Sequence, residues 1–207
     1  MKTKAVRLYG KNDLRLEEFE LPAIKDNEIL AKVVCDSLCM SSYKALKQGT
    51  EHKRIPLDIA INPIIIGHEF SGEIISVGKK WENKYEIGMK FSIQPALNFK
   101  DGPVGLYSAP GYSYRYIGGD STYIVIPNEV MENACLLPYM GRGFFPAALA
   151  EPFSCVNAAL HSNYHSVPGS YNHIQDIVNC GKMAILGGAG PMGMAAINYV
   201  LNRKGNK

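Results

Sequence analysis

The sequence predicts a mixed β and α/β fold, in which a unit of short β-strands precedes the beginning of an α/β unit. Two observations separate the units: Gly, Pro and Asn punctuate the first part of the chain, and an Ala- and Leu-rich helical pattern starts after Pro146. A third is a glycine-rich loop, Gly188-Ala189-Gly190-Pro191-Met192-Gly193, that follows a short apolar run. The boundary is predicted after residue 152, which gives one domain over 1–152 and a second, incomplete one over 153–207.

Strands in the first unit are predicted from β-branched runs that lie between turn residues. The runs are Ile29–Cys35, Ile64–Ile66, Gly72–Val77, Phe91–Ile93 and Thr122–Ile126. Many short strands at this spacing are typical of a barrel or a sandwich. The stretch Asn98–Gly119 is rich in Gly, Pro and Tyr and has little periodicity, so we predict a long ordered loop there.

The second unit alternates helical and extended patterns. Phe153–His161 is predicted to be a helix with Pro152 near its first turn, where proline is favoured. A loop or short insertion is predicted over Asn163–Asn179, a buried strand over Lys182–Leu186 and a second helix over Pro191–Leu201.

Composition excludes several classes of protein. With 46% hydrophobic and 20% charged residues among 207, the chain can bury a sizeable core. A net charge of +3, scattered along the chain, gives no case for nucleic acid, and no segment approaches the ~20 apolar residues of a membrane span. None of the five cysteines forms a C-x-x-C pair, and the first residues lack the apolar stretch of a signal peptide. We therefore expect a cytoplasmic protein without a membrane or nucleic-acid partner.

The glycine-rich loop predicts a dinucleotide site between the Lys182–Leu186 strand and the following helix. Gly188 permits a tight turn, Gly190 lets the backbone approach a pyrophosphate, and Gly193 lets the helix pack closely on the strand. Pro191 and Met192 begin the helix, whose free N–H groups attract phosphates. A glycine-rich turn without a ligand is the alternative. The residue that distinguishes NAD from NADP is expected about 20 positions further on, beyond Lys207.

Three residues ahead of that loop have the chemistry of a catalytic zinc site. Cys39, His68 and Glu151 offer a thiolate, an imidazole and a carboxylate, and catalytic zinc commonly has three protein ligands and one open position. Each residue has an ordinary explanation when it is considered alone. Cys39 could be a core side chain, His68 a hydrogen-bonded structural histidine, and Glu151 a helix cap.

The ordered motifs resemble the zinc-dependent medium-chain dehydrogenase/reductase family over essentially the whole chain. Asn62–Gly78 is similar to its G-H-E signature and Ser37–Ser41 to its G-I-C-G-[ST] segment. Gly118–Pro127 is similar to its G-G-x-A-E-Y-x-x-V-P strand, and Ala150–Pro152 to the E-P of its polyol branch. The resemblance implies a GroES-like β-barrel catalytic domain followed by the beginning of a Rossmann domain. It also implies NAD or NADP as cofactor and one catalytic zinc on Cys39, His68 and Glu151.

The resemblance also assigns roles around that zinc. Ser41 would be the hydroxyl of a proton relay, and Glu69 would lie beside the metal as a supporting carboxylate or an occasional ligand. Lys44 stands where many relatives have the relay histidine, and it is either a relay or phosphate-binding residue or an exposed lysine. Cys155 is a substitute third ligand. Ser42 replaces the usual aspartate, which we expect to remove one partner of a ligand.

Many relatives carry a second, structural zinc on four cysteines near residues 95–115. This segment has no cysteine, so we expect a single zinc per chain.

The substrate is indicated by resemblance alone. The runs Asp36–Ser42, Gln94–Asn98 and Asp101–Tyr114 resemble a branch that interconverts ketose and hexitol phosphates, such as L-sorbose 1-phosphate and D-glucitol 6-phosphate. The alternatives are a polyol or L-threonine dehydrogenase that acts on an unphosphorylated small molecule, or a non-catalytic fragment. A Rossmann domain needs its later strands, so we expect 207 residues alone to be nearly inactive and the full-length enzyme to be a homo-oligomer.

Overall fold

The computed structural model describes residues 1–178 and 180–203, which fall into two compact units, Met1–Leu149 and Ala150–Lys207. Asn179, the last residue of one predicted loop, lies outside the described residues.

A five-stranded antiparallel sheet forms the centre of the first unit. Its strands are β3 (Ile29–Asp36), β5 (Phe70–Val77), β6 (Lys90–Ile93), β7 (Tyr123–Ile126) and β8 (Leu136–Pro138). They occur in the spatial order β7-β3-β5-β6-β8. The buried face carries aliphatic side chains and the edge-to-face pair Phe70 and Phe91, whose ring centroids are 6.2 Å apart. Four of these strands confirm the predictions from β-branched runs.

A smaller sheet of the first unit contains β1 (Lys2–Gly10), β2 (Asp13–Glu20) and the short β4 (Ile64–Ile65). Their spatial order is β2-β1-β4. The first two strands were not predicted, because charged residues separate their apolar ones: β2 has no buried residue, and β1 buries Thr3, Ala5, Arg7 and Leu8. Three short helices also belong to this unit: α1 (Met40–Gln48), α2 (Asn128–Glu132) and α3 (Phe145–Ala148).

The long segment Asn98–Gly119 confirms the prediction of an ordered loop. Its regular structure is one short 3-10 helix, Gly105–Tyr107, and several of its residues are buried.

The second unit contains two helices and a hairpin. Helix α4 (Ala150–His161) precedes the antiparallel pair β9 (Tyr164–Ser166) and β10 (His173–Gln175), and α5 (Pro191–Asn202) follows the glycine-rich loop. Both predicted helices are confirmed, and the predicted insertion is the β9–β10 hairpin.

The prediction of a strand over Lys182–Leu186 is wrong, because this segment of the second unit does not form one. Residues 181–185 have no regular secondary structure. An isolated extended segment cannot satisfy its backbone N–H and C=O groups, and a parallel strand needs neighbours on the same sheet. No other described segment of this unit pairs with it.

Across the described residues, no helix has both the length and the apolar character that a membrane crossing requires.

Candidate metal centre

Three potential metal ligands converge where β3 ends and β5 begins. The antiparallel register sets Asp36 opposite Phe70, and Ser37 N–H donates to the Glu69 carbonyl at 3.1 Å. The residues just beyond this pairing, Cys39 and the pair His68 and Glu69, therefore lie side by side. One donor atom from each of these three lies within 4.8 Å of the others. His68 and Glu69 are each 5% exposed, whereas Cys39 is partly exposed at the N-cap of α1.

The two ring nitrogens of His68 face different groups. Nε2 faces the cluster, 3.8 Å from Glu69 Oε1, and Nδ1 lies 3.3 Å from Ser42 Oγ. A histidine that binds metal through Nε2 must carry its proton on Nδ1, so Ser42 Oγ would then accept that hydrogen bond. Ser42 therefore does not leave the histidine without a partner, contrary to the expectation from its replacement of an aspartate.

Glu69 is fixed from a second direction, because Ser37 Oγ donates a hydrogen bond to Glu69 Oε2. The other carboxylate oxygen, Oε1, is the one that faces His68 Nε2.

Ser41 lies inside the cluster and is oriented by a tyrosine. Its hydroxyl donates to Cys39 Sγ at 3.0 Å and lies 3.2 Å from His68 Nε2. The Tyr112 hydroxyl donates to Ser41 Oγ at 2.7 Å and also lies 3.3 Å from His68 Nε2. Tyr112, which is 5% exposed, is a site residue whose role no sequence motif indicates.

The close packing of the backbone at Gly111 explains how the loop positions Tyr112 beside His68. Gly111 has φ +75, and a Cβ added there would lie 2.0 Å from the Gly67 carbonyl oxygen. Only glycine allows both this conformation and this approach. The contact sets Tyr112 against His68, the residue that follows Gly67, with ring centroids 4.6 Å apart.

The electrostatic environment keeps the imidazole neutral. Burial lowers the pKa of His68 to about 4, and the charge of Arg54 acts in the same direction while that of Glu69 opposes it. Burial also raises the pKa of the Cys39 thiol. A bound cation favours the thiolate, so this thiol would ionise as the metal binds. A neutral imidazole, a thiol and a carboxylate at this spacing fit zinc, whose ligand bonds are about 2.0–2.3 Å long.

Cationic side chains surround the neighbouring His52. Its pKa is lowered first by burial and then by the charges of Lys44, Arg54 and Lys53. His52 stacks on Tyr112 with ring centroids 5.7 Å apart and an interplanar angle of 11°. Lys44 itself is exposed on α1. Its catalytic role stays a prediction.

Glu151, the predicted third ligand, lies in the second unit, in the first turn of α4. The Cys155 thiol lies one turn later and donates to Glu151 Oε1 at 3.6 Å. The two candidate ligands thus share one face of α4. Whether either of them binds the metal stays a prediction.

The glycine-rich loop makes the predicted turn into a helix. Gly190 is the N-cap of α5 and Pro191 its first residue, followed by the exposed Met192. A Cβ on Gly193 would lie 2.4 Å from the Gly187 carbonyl oxygen and 2.6 Å from Gly188 Cα, so the helix start packs directly on the turn. This is the close packing expected of the third glycine, and cofactor binding by the loop stays a prediction.

Comparison with known proteins identifies the family to which the chain belongs. Residues 25–137 match the model of the alcohol dehydrogenase GroES-like domain. Over 97% of its length the chain is 54% identical to L-sorbose 1-phosphate reductase of Klebsiella pneumoniae, of which it covers 48%. It is 42% identical, again over 97% of its length, to mannitol-1-phosphate 5-dehydrogenase of Aliivibrio fischeri, of which it covers 46%. The chain therefore spans about half the length of the curated relatives it matches.

A solved structure supports the fold. The thermostable alcohol dehydrogenase of Pyrobaculum aerophilum, with cobalt and zinc bound, matches with a TM-score of 0.71 at 18% identity. The match covers 97% of this chain and 57% of that one.

Proposed function

The chain belongs to the family of alcohol dehydrogenase GroES-like domains, and on that premise we propose that it serves a zinc-dependent oxidoreductase. The reaction transfers a hydride between NAD(P)(H) and a sugar phosphate, with L-sorbose 1-phosphate and D-glucitol 6-phosphate as the substrate pair. The observation that carries this proposal is the convergence of Cys39, His68 and Glu69 with the hydroxyl of Ser41.

Cys39 and His68 would hold the zinc together with Glu151, and Glu69 supports the site or replaces a ligand. Zinc bound there would act as a Lewis acid that polarises the substrate oxygen. No second zinc is expected, because residues 95–115 contain no cysteine.

Ser41 moves the proton that the substrate oxygen gains in reduction. Its hydroxyl accepts a hydrogen bond from Tyr112, so its own proton is directed toward Cys39 Sγ and the interior of the cluster. NAD(P)H, when bound, would supply the hydride for reduction of the carbonyl carbon, and Ser41 provides the proton that the oxygen gains. The Tyr112 hydroxyl is placed to replace that proton.

The loop Gly188–Gly193 would bind the pyrophosphate of NAD or NADP at the start of α5. The phosphate in the substrate is supported by the names of both relatives, each of which acts on a phosphorylated sugar or sugar alcohol. Five free thiols are typical of a reducing compartment, so we place the enzyme in the cytoplasm. We also propose that it is a homo-oligomer.

Steady-state kinetics of the full-length polypeptide that carries these residues test the proposal. We expect NADH- or NADPH-dependent reduction of L-sorbose 1-phosphate with a kcat/KM far above that for L-sorbose, and little oxidation of L-threonine. Preference for an unphosphorylated polyol would favour a polyol dehydrogenase instead. The absence of all turnover would favour a non-catalytic role.

A further inference from the structure

Arg54 is held in a fixed position beside the metal centre. Its backbone is tied on both sides, since Arg54 N–H donates to His52 Nδ1 at 3.3 Å and the Arg54 carbonyl accepts from Ser113 Oγ at 2.7 Å. Its side chain is tied once: Nη1 donates to the Tyr107 carbonyl at 3.1 Å. The guanidinium carbon lies 5.7 Å from the centroid of the Tyr112 ring. The side chain is therefore pre-oriented rather than free in solvent.

The positive charge of Arg54 has no counter-ion in the described part of the chain. Within residues 1–178 and 180–203, no carboxylate lies within 4.0 Å of its guanidinium. A guanidinium has five N–H donors, and the bond to Tyr107 uses one of them. Arg54 therefore keeps donors and a full charge for an anion.

This guanidinium and the His68 ring of the metal centre both lie against the Tyr112 ring. The Tyr112 ring contacts Arg54 and also lies 4.6 Å, centroid to centroid, from the His68 ring. An anionic group a few bonds away from a reacting carbon at the metal would thus come within range of Arg54.

We propose that Arg54 binds the phosphate of the substrate, and that the Tyr112 ring and the Tyr107 carbonyl position its guanidinium for this contact. The inference rests on the proposed function, because it assumes a phosphorylated substrate. A planar guanidinium matches two phosphate oxygens at once, which a lysine ammonium cannot do. Arg54 thus sets specificity for the phosphate, whereas the exposed Lys44 adds at most a screened long-range attraction.

Two readouts on the full-length, zinc-loaded enzyme test this proposal. The first is the KM for L-sorbose 1-phosphate and for L-sorbose, and the second is the calorimetric Kd for L-sorbose 1-phosphate without cofactor. For Arg54→Ala we expect KM and Kd for the phosphate ester to rise at least about tenfold, the equivalent of roughly 1.4 kcal/mol. Kinetic constants for L-sorbose should stay within about twofold, since no phosphate is lost there.

Arg54→Lys and Lys53→Ala complete the design. Arg54→Lys keeps the charge and loses the planar fork, so we expect a rise of about threefold for the phosphate ester, and this variant also covers the case in which Arg54→Ala does not fold. Lys53→Ala removes an equal charge from the adjacent, exposed residue and should change neither readout.

Three results would overturn the role of Arg54. In Arg54→Ala, the affinity could fall equally for L-sorbose 1-phosphate and L-sorbose, or fall for neither. Alternatively, Lys53→Ala could raise KM and Kd for the phosphate ester as much as Arg54→Ala does. A tenfold loss found only in Lys44→Ala would assign the phosphate to Lys44 and would also overturn it. If the wild-type enzyme binds L-sorbose as tightly as its phosphate ester, the proposed substrate fails together with the inference. If the wild type prefers the ester and the Arg54 variants have the same KM and Kd for the ester as the wild type, the inference alone fails.

Discussion

Tyr112 donates a hydrogen bond to Ser41 Oγ at 2.7 Å, although 71 positions separate the two residues in the chain. The same hydroxyl lies 3.3 Å from His68 Nε2. A residue of a long loop thus orients both a candidate metal ligand and the candidate proton donor. The loop Asn98–Gly119 therefore contributes to the site itself.

Tyr112→Phe should lower kcat about fivefold, because a net hydrogen bond of about 1 kcal/mol to Ser41 is lost while the ring remains. The KM for the sugar phosphate should change less than about twofold, since the ring still supports Arg54. Steady-state kinetics check both values, with the fully exposed Tyr171→Phe as control. A kcat equal to that of the wild type would remove Tyr112 from the proton path.

Ser42→Ala should weaken zinc binding by about tenfold, because the partner of His68 Nδ1 is lost. Ser42→Thr keeps a hydroxyl and should retain most of the affinity. Competition against a chromophoric chelator measures both dissociation constants. If alanine and threonine variants bind zinc equally well, the Ser42 hydroxyl does not hold the imidazole.

Gly193→Ala should destabilise the glycine-rich loop by about 1–3 kcal/mol, because the added Cβ meets backbone atoms that cannot move away easily. The dissociation constant for NAD(P)H should rise in the same variant. Gly143→Ala is the matched control, since its Cβ would make only ordinary contacts at 3.6–3.7 Å. Denaturant unfolding and cofactor titration provide the two measurements. Unchanged stability would show that the packing of α5 on this turn is looser than described.

Asp36 gives the protein a pH-dependent stability. Burial raises its pKa to about 8, and the charge of Asp120 adds to this effect. A hydrogen bond with the Asp120 side chain raises the pKa further, and the Ser37 backbone opposes the shift. The folded state therefore holds a proton that the unfolded chain releases above about pH 4, so this group costs stability progressively as the pH rises from about 4 to 8.

Asp36→Asn should accordingly be more stable than the wild type at pH 8, and the difference should shrink toward pH 4. Urea unfolding at both pH values measures it, with the exposed Asp101→Asn as control. A gain in stability that is the same at pH 4 and pH 8 would contradict the raised pKa.

Local patterns predicted most of the central sheet and both long helices of the second unit, because β-branched runs and glycine or proline boundaries act over a few residues. The β1–β2 hairpin was missed, since charged residues interrupt the apolar ones of β1 and β2 has no buried residue that would mark an inward face. The Lys182–Leu186 strand was predicted and is not formed. The apolar run favours an extended backbone, but its N–H and C=O groups form hydrogen bonds as a strand only when other strands pair with it.

The sequence predicts only those parts of the candidate site that lie in short motifs. Cys39, Ser41, His68 and Glu69 lie in short motifs, and the β3–β5 register brings them together as those motifs imply. Tyr112 and Arg54 reach the site through long-range contacts of loops, and no local pattern in the sequence signals such contacts. The role of Ser42 was misjudged because a hydroxyl can accept the same hydrogen bond as the aspartate it replaces.

The metal content of the purified protein tests the central claim most directly. Elemental analysis should find one zinc per chain in the wild type, in Cys35→Ser and in the control Asp101→Asn. Zinc should be lost when Cys39→Ser is combined with His68→Ala, because the thiolate and the imidazole are both removed. Two zincs per wild-type chain, or full retention of zinc by the double variant, would contradict the assignment of this centre.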